Sequence, residues 1–308
     1  MNDPGLILVS GGAGVVGSRL VRGLVRAGRR VRVLTLPGDP AVSRLDDLAC
    51  EIVRGDVGDA ATLAGVFDGV GTVYHLAAVI LARDPSLFRR INVEGTRHMV
   101  EGAAAAGARH FIHVSSAAAA NPRGSAYAQS KLDAEAWVKS RPELAFTIVR
   151  PTLVYGNGGG QEYMLFQAAL LRYPVVPFIG SGRSRKNPVH VDDLVDGLLA
   201  IAGNPAACGK TYNFSGGEAI TMRDLARLVL RRQGVTKPFM PIPVPVCRAA
   251  AAILERILRH PPLTRYAISR FLDEAATDNA EARADLGYNP VGVSEGLCSN
   301  SQFGGLRQ

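Results

Sequence analysis

The chain has 308 residues, 47% hydrophobic and 20% charged, with 34 glycines, 18 prolines and a formal net charge of +8. That much apolar surface excludes intrinsic disorder, and glycine and proline that are neither periodic nor dominant exclude a collagen-like or low-complexity chain. The length suits one large domain or a domain carrying a lobe. The positive charge is mostly arginine, densest at Arg19, Arg22, Arg26, Arg29, Arg30 and Arg32, and nowhere runs to five consecutive basic residues. It reads as a solvated arginine-rich surface, with a phosphorylated ligand left open and no basic stripe interleaved with aromatics to suggest nucleic acid.

Taken in chain order, short runs rich in Val, Ile and Leu predict strands at 6–10, 31–35, 51–54, 72–76, 110–115 and 146–150. Between them, helical periodicity predicts helices at 15–27, 60–67, 86–106 and 126–140. Strands alternating with crossover helices predict an α/β fold, a Rossmann-type doubly wound parallel sheet with ligands beyond the carboxyl ends of its strands. Past residue 151 the texture changes to Gly156-Asn157-Gly158-Gly159-Gly160 and proline-interrupted segments. We therefore expect a dinucleotide-binding domain over 1–155, with segments around 186–215 returning to it, a smaller substrate-binding lobe over 156–298, and a frayed tail over 299–308. Within the lobe, Thr221 predicts an N-cap for a helix over 222–232, Pro241 to Pro245 an extended run, and 248–258 an amphipathic helix with Arg248, Glu255 and Arg256 on one side, read as core-packed ahead of membrane-facing.

The cysteines Cys50, Cys208, Cys247 and Cys298 are widely spaced, with no C-x-x-C pair and no metal-ligand spacing to histidine. Free thiols in a reducing compartment and no metal site are expected. The start, Met1-Asn2-Asp3-Pro4-Gly5, lacks a signal-peptide pattern, and no apolar run is long enough to span a bilayer. We expect a cytoplasmic protein without membrane insertion.

Two places carry chemistry. Directly after the first predicted strand comes a G-x-x-G-x-x-G of Gly11, Gly14 and Gly17, with Val15 and Val16 opening the following helix. Such a turn brings backbone N–H groups and a helix N-terminus to a pyrophosphate. The end of the second strand, Thr35-Leu36-Pro37-Gly38, offers neither a carboxylate for a ribose 2′-OH nor an arginine for a 2′-phosphate, so NAD and NADP both stay open. After the third strand, Gly55-Asp56-Val57 offers Asp56 to an adenine amino group or to its own turn. At the other place, Ser115-Ser116 ends the fifth strand, and Tyr127 and Lys131 follow at the i, i+4 spacing that puts both on one helix face. A lysine ammonium there favours the phenolate, so Tyr127 can move a proton at a carbonyl or alcohol oxygen, and Ser116 can hydrogen-bond that oxygen. Asn92, inside the long predicted helix, is a candidate anchor for a water or a backbone carbonyl, or a cap.

These motifs resemble the extended short-chain dehydrogenase/reductases, the NAD-dependent epimerase/dehydratase family, over about residues 5–297. The carriers are the glycine turn, Gly55-Asp56-Val57, Tyr74-His75-Leu76-Ala77-Ala78, Asn92-Val93-Glu94-Gly95-Thr96, Ser115-Ser116, Tyr127 with Lys131, Arg150-Pro151-Thr152-Leu153-Val154-Tyr155-Gly156, Pro188-Val189-His190-Val191-Asp192-Asp193-Leu194 and Ala284-Asp285-Leu286-Gly287-Tyr288-Asn289-Pro290. The resemblance implies hydride transfer to or from the nicotinamide C4, with Tyr127 as acid/base, Lys131 lowering its pKa and holding the nicotinamide ribose, and Ser116 orienting the substrate oxygen. It implies Leu76, Ala77 and Ala78 along the cofactor and Pro151 and Val154 beside the nicotinamide. Leu36 stands where ketoreductase relatives carry an arginine for NADP, which favours NAD.

Ala117 and Ala118 replace the Asp-Glu pair of nucleotide-sugar dehydratases, which argues against dehydration. The resemblance leads us to expect a 4-epimerase or 4-ketoreductase of a nucleotide-activated sugar, with Lys186 and Arg185 near the diphosphate and Asn157 and His190 toward the substrate. The rival expectation is a 3β-hydroxysteroid-like or dihydroflavonol-like dehydrogenase or ketoreductase of an apolar alcohol or ketone, suggested by the short Ser116–Tyr127 interval and the apolar stretch 241–258. A non-catalytic dinucleotide-binding scaffold is a third. The resemblance also implies a homodimer built on the helices at 86–106 and 126–140.

Overall fold

The computed structural model describes residues 5–82, 84–122, 125–258, 261, 263–272 and 277–298. The expected tail at 299–308 lies outside the described residues. In chain order the elements begin β1 (Leu6–Ser10), α1 (Val15–Arg26), β2 (Val31–Thr35), β3 (Glu51–Arg54), β4 (Val70–His75), α2 (Gly95–Ala105), β5 (His110–Val114), α3 (Ala126–Lys139) and β6 (Ala145–Pro151). There follow β7 (Val154–Tyr155), α4 (Gln161–Arg172), β8 (Val176–Ile179), β9 (Arg185–Lys186), β10 (Val189–His190), α5 (Val191–Leu199), β11 (Lys210–Phe214) and β12 (Ile220–Thr221). The chain continues with α6 (Met222–Arg232), β13 (Phe239–Ile242), α7 (Val244–Ile257), α8 (Arg265–Leu272), α9 (Ala280–Leu286) and α10 (Val293–Cys298).

The chain divides into two compact units, the first of residues 1–152, 191–214 and 279–289, the second of 153–190, 215–278 and 290–308. The first holds a seven-stranded parallel sheet in the order β11-β6-β5-β4-β1-β2-β3. The order reverses at β1, which pairs with β2 on one side and β4 on the other, and this switch point leaves a crevice past their carboxyl ends. The strands are apolar runs because helices cover both faces: all five residues of β1 are buried. α1 turns Leu20, Val21 and Leu24 inward.

A seventh strand, β11, joins the six that strand propensity predicts; Tyr212 and Phe214 bury one of its faces, and it pairs with β6 from Lys210↔Thr147 to Phe214↔Pro151. The predicted helix over 60–67 shrinks to one 3₁₀ turn at Ala60–Leu63, because Gly65 takes a left-handed φ of 71° that stops propagation. The predicted helix over 86–106 contains a π-helical stretch, Phe88–Glu94, before α2 begins.

The second unit is a lobe of α4, α6 and α10 around Tyr155, Tyr163, Phe178, Leu225 and Val229. Thr221 caps α6, its Oγ1 accepting from the Asp224 N–H at 3.1 Å. The proline run is extended only through β13; the helix then starts at Val244, with Pro245 in its first turn, where the missing N–H costs no hydrogen bond. That helix is core-packed on one side alone: Cys247 and Ala251 are buried against Ile268 of α8, while the rest of its surface stays exposed or partly so. Among the described residues no helix is long and apolar enough to cross a membrane, and no group of three or more His, Cys, Asp or Glu residues could hold a metal ion.

Candidate active site

The glycine turn after β1 is built by backbone geometry that side chains would obstruct. Gly11 has φ +72°, and a Cβ on it would stand 2.8 Å from the Ala77 backbone nitrogen. A Cβ on Gly17 would strike the Gly11 carbonyl oxygen and come within 2.7 Å of the Gly12 Cα. Gly14 sits at the N-cap of α1 with no side chain over the helix end. An open helix N-terminus beside a side-chain-free turn is the shape and polarity that a pyrophosphate needs.

From this turn a cleft of about 390 Å³ runs along the carboxyl ends of β1, β2, β3 and β4. Of the predicted cofactor residues, Gly11, Gly14, Asp56, Val57, Leu76, Ala77 and Ala78 line it together. Val15, Val16 and Gly17 lie behind it in the first turn of α1. Thr35, Leu36, Leu87, Arg90 and Ile91 also line the cleft and were not among the predicted cofactor-binding residues. Thr35 and Leu36 belong to a strand end read for charge alone; Arg90 and Ile91 arrive from a distant turn with no local motif. Asp56 serves its own turn, Oδ1 accepting from the Gly58 N–H at 2.8 Å, and stands 3.4 Å from Arg90. At the end of β2 the Arg54 guanidinium donates to Thr35 Oγ1 at 2.8 Å.

Ser116 leaves β5 and caps the short turn Ala117–Ala120, its Oγ accepting from the Ala118 N–H at 3.2 Å. That bond uses an acceptor lone pair and leaves the Ser116 O–H to donate outward. The α3 helix packs on this turn, starting behind Ser125, whose Oγ accepts from the Ala128 N–H at 3.0 Å. Tyr127 lies half-buried in its first turn, edge-on to Phe88 with ring centroids 6.0 Å apart. One turn on, Lys131 is 2% exposed, and its ammonium donates to the Val114 carbonyl oxygen at 2.8 Å. Burial pushes its pKa down to about 8, against the opposing pull of the Glu135 charge.

Buried Glu135 pairs with the partly buried Arg150, a pair that the motifs did not announce. Arg150 donates from Nε and one terminal nitrogen to the two carboxylate oxygens at 2.9 and 2.6 Å, and Ser115 Oγ donates to Oε1 at 2.6 Å. Beneath lie two neutral histidines. His75 Nδ1 shares a 2.7 Å hydrogen bond with Ser10 Oγ and Nε2 a 3.0 Å one with Thr96 Oγ1, and its ring stacks 5.4 Å from that of His113. Burial, with the Lys131 charge adding to it, pushes the His75 pKa down to about 3 and that of His113 well below its ordinary value. Asn92 is an anchor: its Oδ1 accepts from the Val79 N–H at 2.8 Å, while Nδ2 donates to the Val79 carbonyl at 2.9 Å and to Ser130 Oγ at 2.9 Å. It fixes the segment after Ala78, at the cleft wall, to α3.

Pro151 ends β6 opposite Phe214 of β11. The remaining predicted residues belong to the second unit. Val154 pairs with Val189; Asn157 lines a small cavity with Tyr163, Gln167 and Arg232; His190 is buried with its ring edge-on to Tyr155 at 5.2 Å. Arg185 and Lys186 form β9, where the exposed Arg185 donates to the Ala219 carbonyl at 2.9 Å.

The model of the NAD dependent epimerase/dehydratase family matches residues 7–215, which takes in the glycine turn, Ser116, Tyr127 and Lys131. The chain belongs to this family. It is similar to a ceramide reductase of Caulobacter vibrioides, 35% identical over 251 residues that cover 82% of this chain and 78% of that one. It is also similar to a 3 beta-hydroxysteroid dehydrogenase/Delta 5-->4-isomerase of Mycobacterium tuberculosis, 28% identical over 328 residues covering 93% and 86%. Among solved structures, the crystal structure of gox2253 matches with a TM-score of 0.80 at 28% identity, covering 96% of each chain. As a member of this family the protein is an NAD-dependent enzyme of the dehydrogenase, reductase and epimerase kind. Its own residues fit the cofactor, because the glycine turn is free of side chains where a pyrophosphate would lie and the cleft beside it is long and mostly apolar.

Proposed function

We propose that the protein reduces a ketone, or oxidises the matching secondary alcohol, on an apolar substrate. The observation that carries this reading is the composition of the catalytic strand end: Ser116, Tyr127 and Lys131 supply one hydrogen-bond donor and one proton relay, and Ala117 and Ala118 supply no second acid or base. Such a set serves one carbonyl and no neighbouring C–H bond. The ceramide reductase and hydroxysteroid dehydrogenase names of two relatives support the carbonyl chemistry and an apolar substrate class.

Bound NAD(H) supplies or accepts the hydride. The chain does the rest: in the reducing direction the Ser116 O–H donates to the substrate carbonyl oxygen, and Tyr127 delivers its phenolic proton to that oxygen as negative charge develops. Lys131, tied to the Val114 carbonyl, stabilises the phenolate left behind. Asn92 and the Ala77-Ala78 wall keep the cleft's shape without entering the proton path.

The test offers long-chain 3-oxo lipids and 3-oxosteroids with NADH and NADPH and follows loss of the reduced nicotinamide. Turnover of the apolar ketones, and none of UDP- or dTDP-sugars, is expected. A second reading, 4-epimerisation or 4-ketoreduction of a nucleotide-activated sugar, is favoured by the basic residues of β9, Arg185 and Lys186, which stand on opposite faces of the strand and of which one could meet a diphosphate. Nucleotide sugars that raise the melting temperature and are turned over would replace the first reading with this one. A homodimer through α2 and α3 is part of the proposal, and sedimentation of the whole chain tests it.

A further inference from the structure

The +8 charge is not spread evenly. The first unit carries twenty Lys and Arg against nineteen Asp and Glu, the second fifteen against eight, so +7 of the total belongs to the second unit. Exposed apolar side chains divide the same way. Of the twelve large hydrophobic residues exposed among the described residues, all but Leu36 and Leu81 belong to the second unit.

The two properties meet on α7. Val246 (55% exposed), Ile253 (58%) and Ile257 (73%), with exposed Ala250 between, fall at the i, i+4, i+7, i+11 spacing of one helical face. Leu258, 43% exposed, follows at the helix end. An adjacent face is fastened down, with Cys247 and Ala251 packed on Ile268 of α8, so the stripe is a fixed feature of the folded lobe. The helix has one acidic residue, Glu255, and Arg265 takes it at 2.8 Å. Arg256, about a quarter-turn from the stripe, and Arg248, on the far side of the helix, are exposed and enter no ion pair among the described residues, so the surface away from the stripe is positive.

We infer that the exposed face of α7 docks on an anionic lipid bilayer, lying in its surface with Val246, Ala250, Ile253 and Ile257 among the upper acyl chains, Arg256 at the headgroup phosphates and Arg248 on the outward face above them. A helix in this position needs an aliphatic stripe and cations on its flank and outward face, and α7 has the stripe, Arg256 on the flank and Arg248 outward. The aliphatic character argues for acyl chains over nucleic acid, which would ask for aromatic stacking surfaces. The positive charge supplies the complement to anionic headgroups and argues against a second copy of the same basic lobe. The inference does not depend on which ketone the enzyme reduces.

Co-sedimentation of the whole protein with vesicles tests it. Binding to vesicles of phosphatidylcholine containing phosphatidylglycerol is expected at low salt, and binding at least about tenfold weaker to phosphatidylcholine alone or at high salt. Ile253→Glu with Ile257→Glu is expected to lose binding about tenfold or more, while NAD still raises the melting temperature as in the parent protein. Arg248→Gln with Arg256→Gln is expected to weaken binding to anionic vesicles only. No vesicle binding overturns the inference, as does binding that survives the glutamate pair. Self-association abolished by that pair, without vesicle binding, would make a second copy the occupant; retention on DNA or RNA without vesicle binding would make it nucleic acid. Either result overturns the bilayer.

Discussion

Arg150 grips Glu135 at two points, 2.9 and 2.6 Å, in a site where the carboxylate is 1% exposed. Glu135 stands one helical turn beyond Lys131 on α3, and its charge acts against the burial that lowers the Lys131 pKa to about 8. Glu135→Gln removes that support, so the Lys131 pKa falls further and the alkaline limb of the kcat–pH profile moves to lower pH. The variant also leaves Arg150 without its partner charge, at a cost of about 3 kcal/mol in unfolding free energy. An unmoved alkaline limb with the stability loss present would reduce Glu135 to a structural role.

Tyr127→Phe removes the proton relay and keeps the ring against Phe88. We expect kcat to drop by about a thousandfold, within the range of general acid–base catalysis, with NADH binding by fluorescence unchanged. Parent-like turnover would sink the mechanism and favour the non-catalytic dinucleotide-binding scaffold.

Gly17→Ala drives a Cβ into the Gly11 carbonyl and the Gly12 backbone, which cannot swing aside as a side chain would. NAD affinity should fall by at least about tenfold, with a stability loss of about 1–3 kcal/mol. Titration calorimetry and urea unfolding read the two effects separately.

Burial holds His75 at a pKa of about 3 and His110 at about 4, and keeps His113 well below its ordinary value. The unfolded chain takes up protons on these groups near pH 6.5 that the folded chain refuses, so their stability contribution is full above that pH and is lost as pH falls toward the folded values. His75 and His110 should each steepen the loss by about 1.4 kcal/mol per pH unit between about pH 6.5 and 4, and His113 acts in the same direction. Urea midpoints across that window measure it; replacing His110 with Asn should make the slope shallower.

Asn92→Ala leaves both backbone polar groups of Val79 without the bonds they make at 2.8 and 2.9 Å. A loss of about 1–3 kcal/mol is expected, and a weaker KM for NADH, since Val79 lines the cofactor cleft. A stability loss with an unchanged KM would confine Asn92 to the core.

The strands through β6 and the glycine turn were legible in the sequence, and Ser116, Tyr127 and Lys131 stood out there as catalytic candidates, because each signal is local: apolar runs mark buried parallel strands, glycines mark a turn without side chains, and i, i+4 puts two groups on one helix face. Tertiary structure alone decided the rest. It recruited the segment around α9 to the first unit, joined Glu135 to Arg150 across fifteen residues and Asn92 to Val79 across thirteen, and stacked His75 on His113. It also placed nearly all the net charge and most exposed apolar side chains in one unit. Such pairings depend on which strands become neighbours and which faces remain uncovered, quantities that no window of sequence contains.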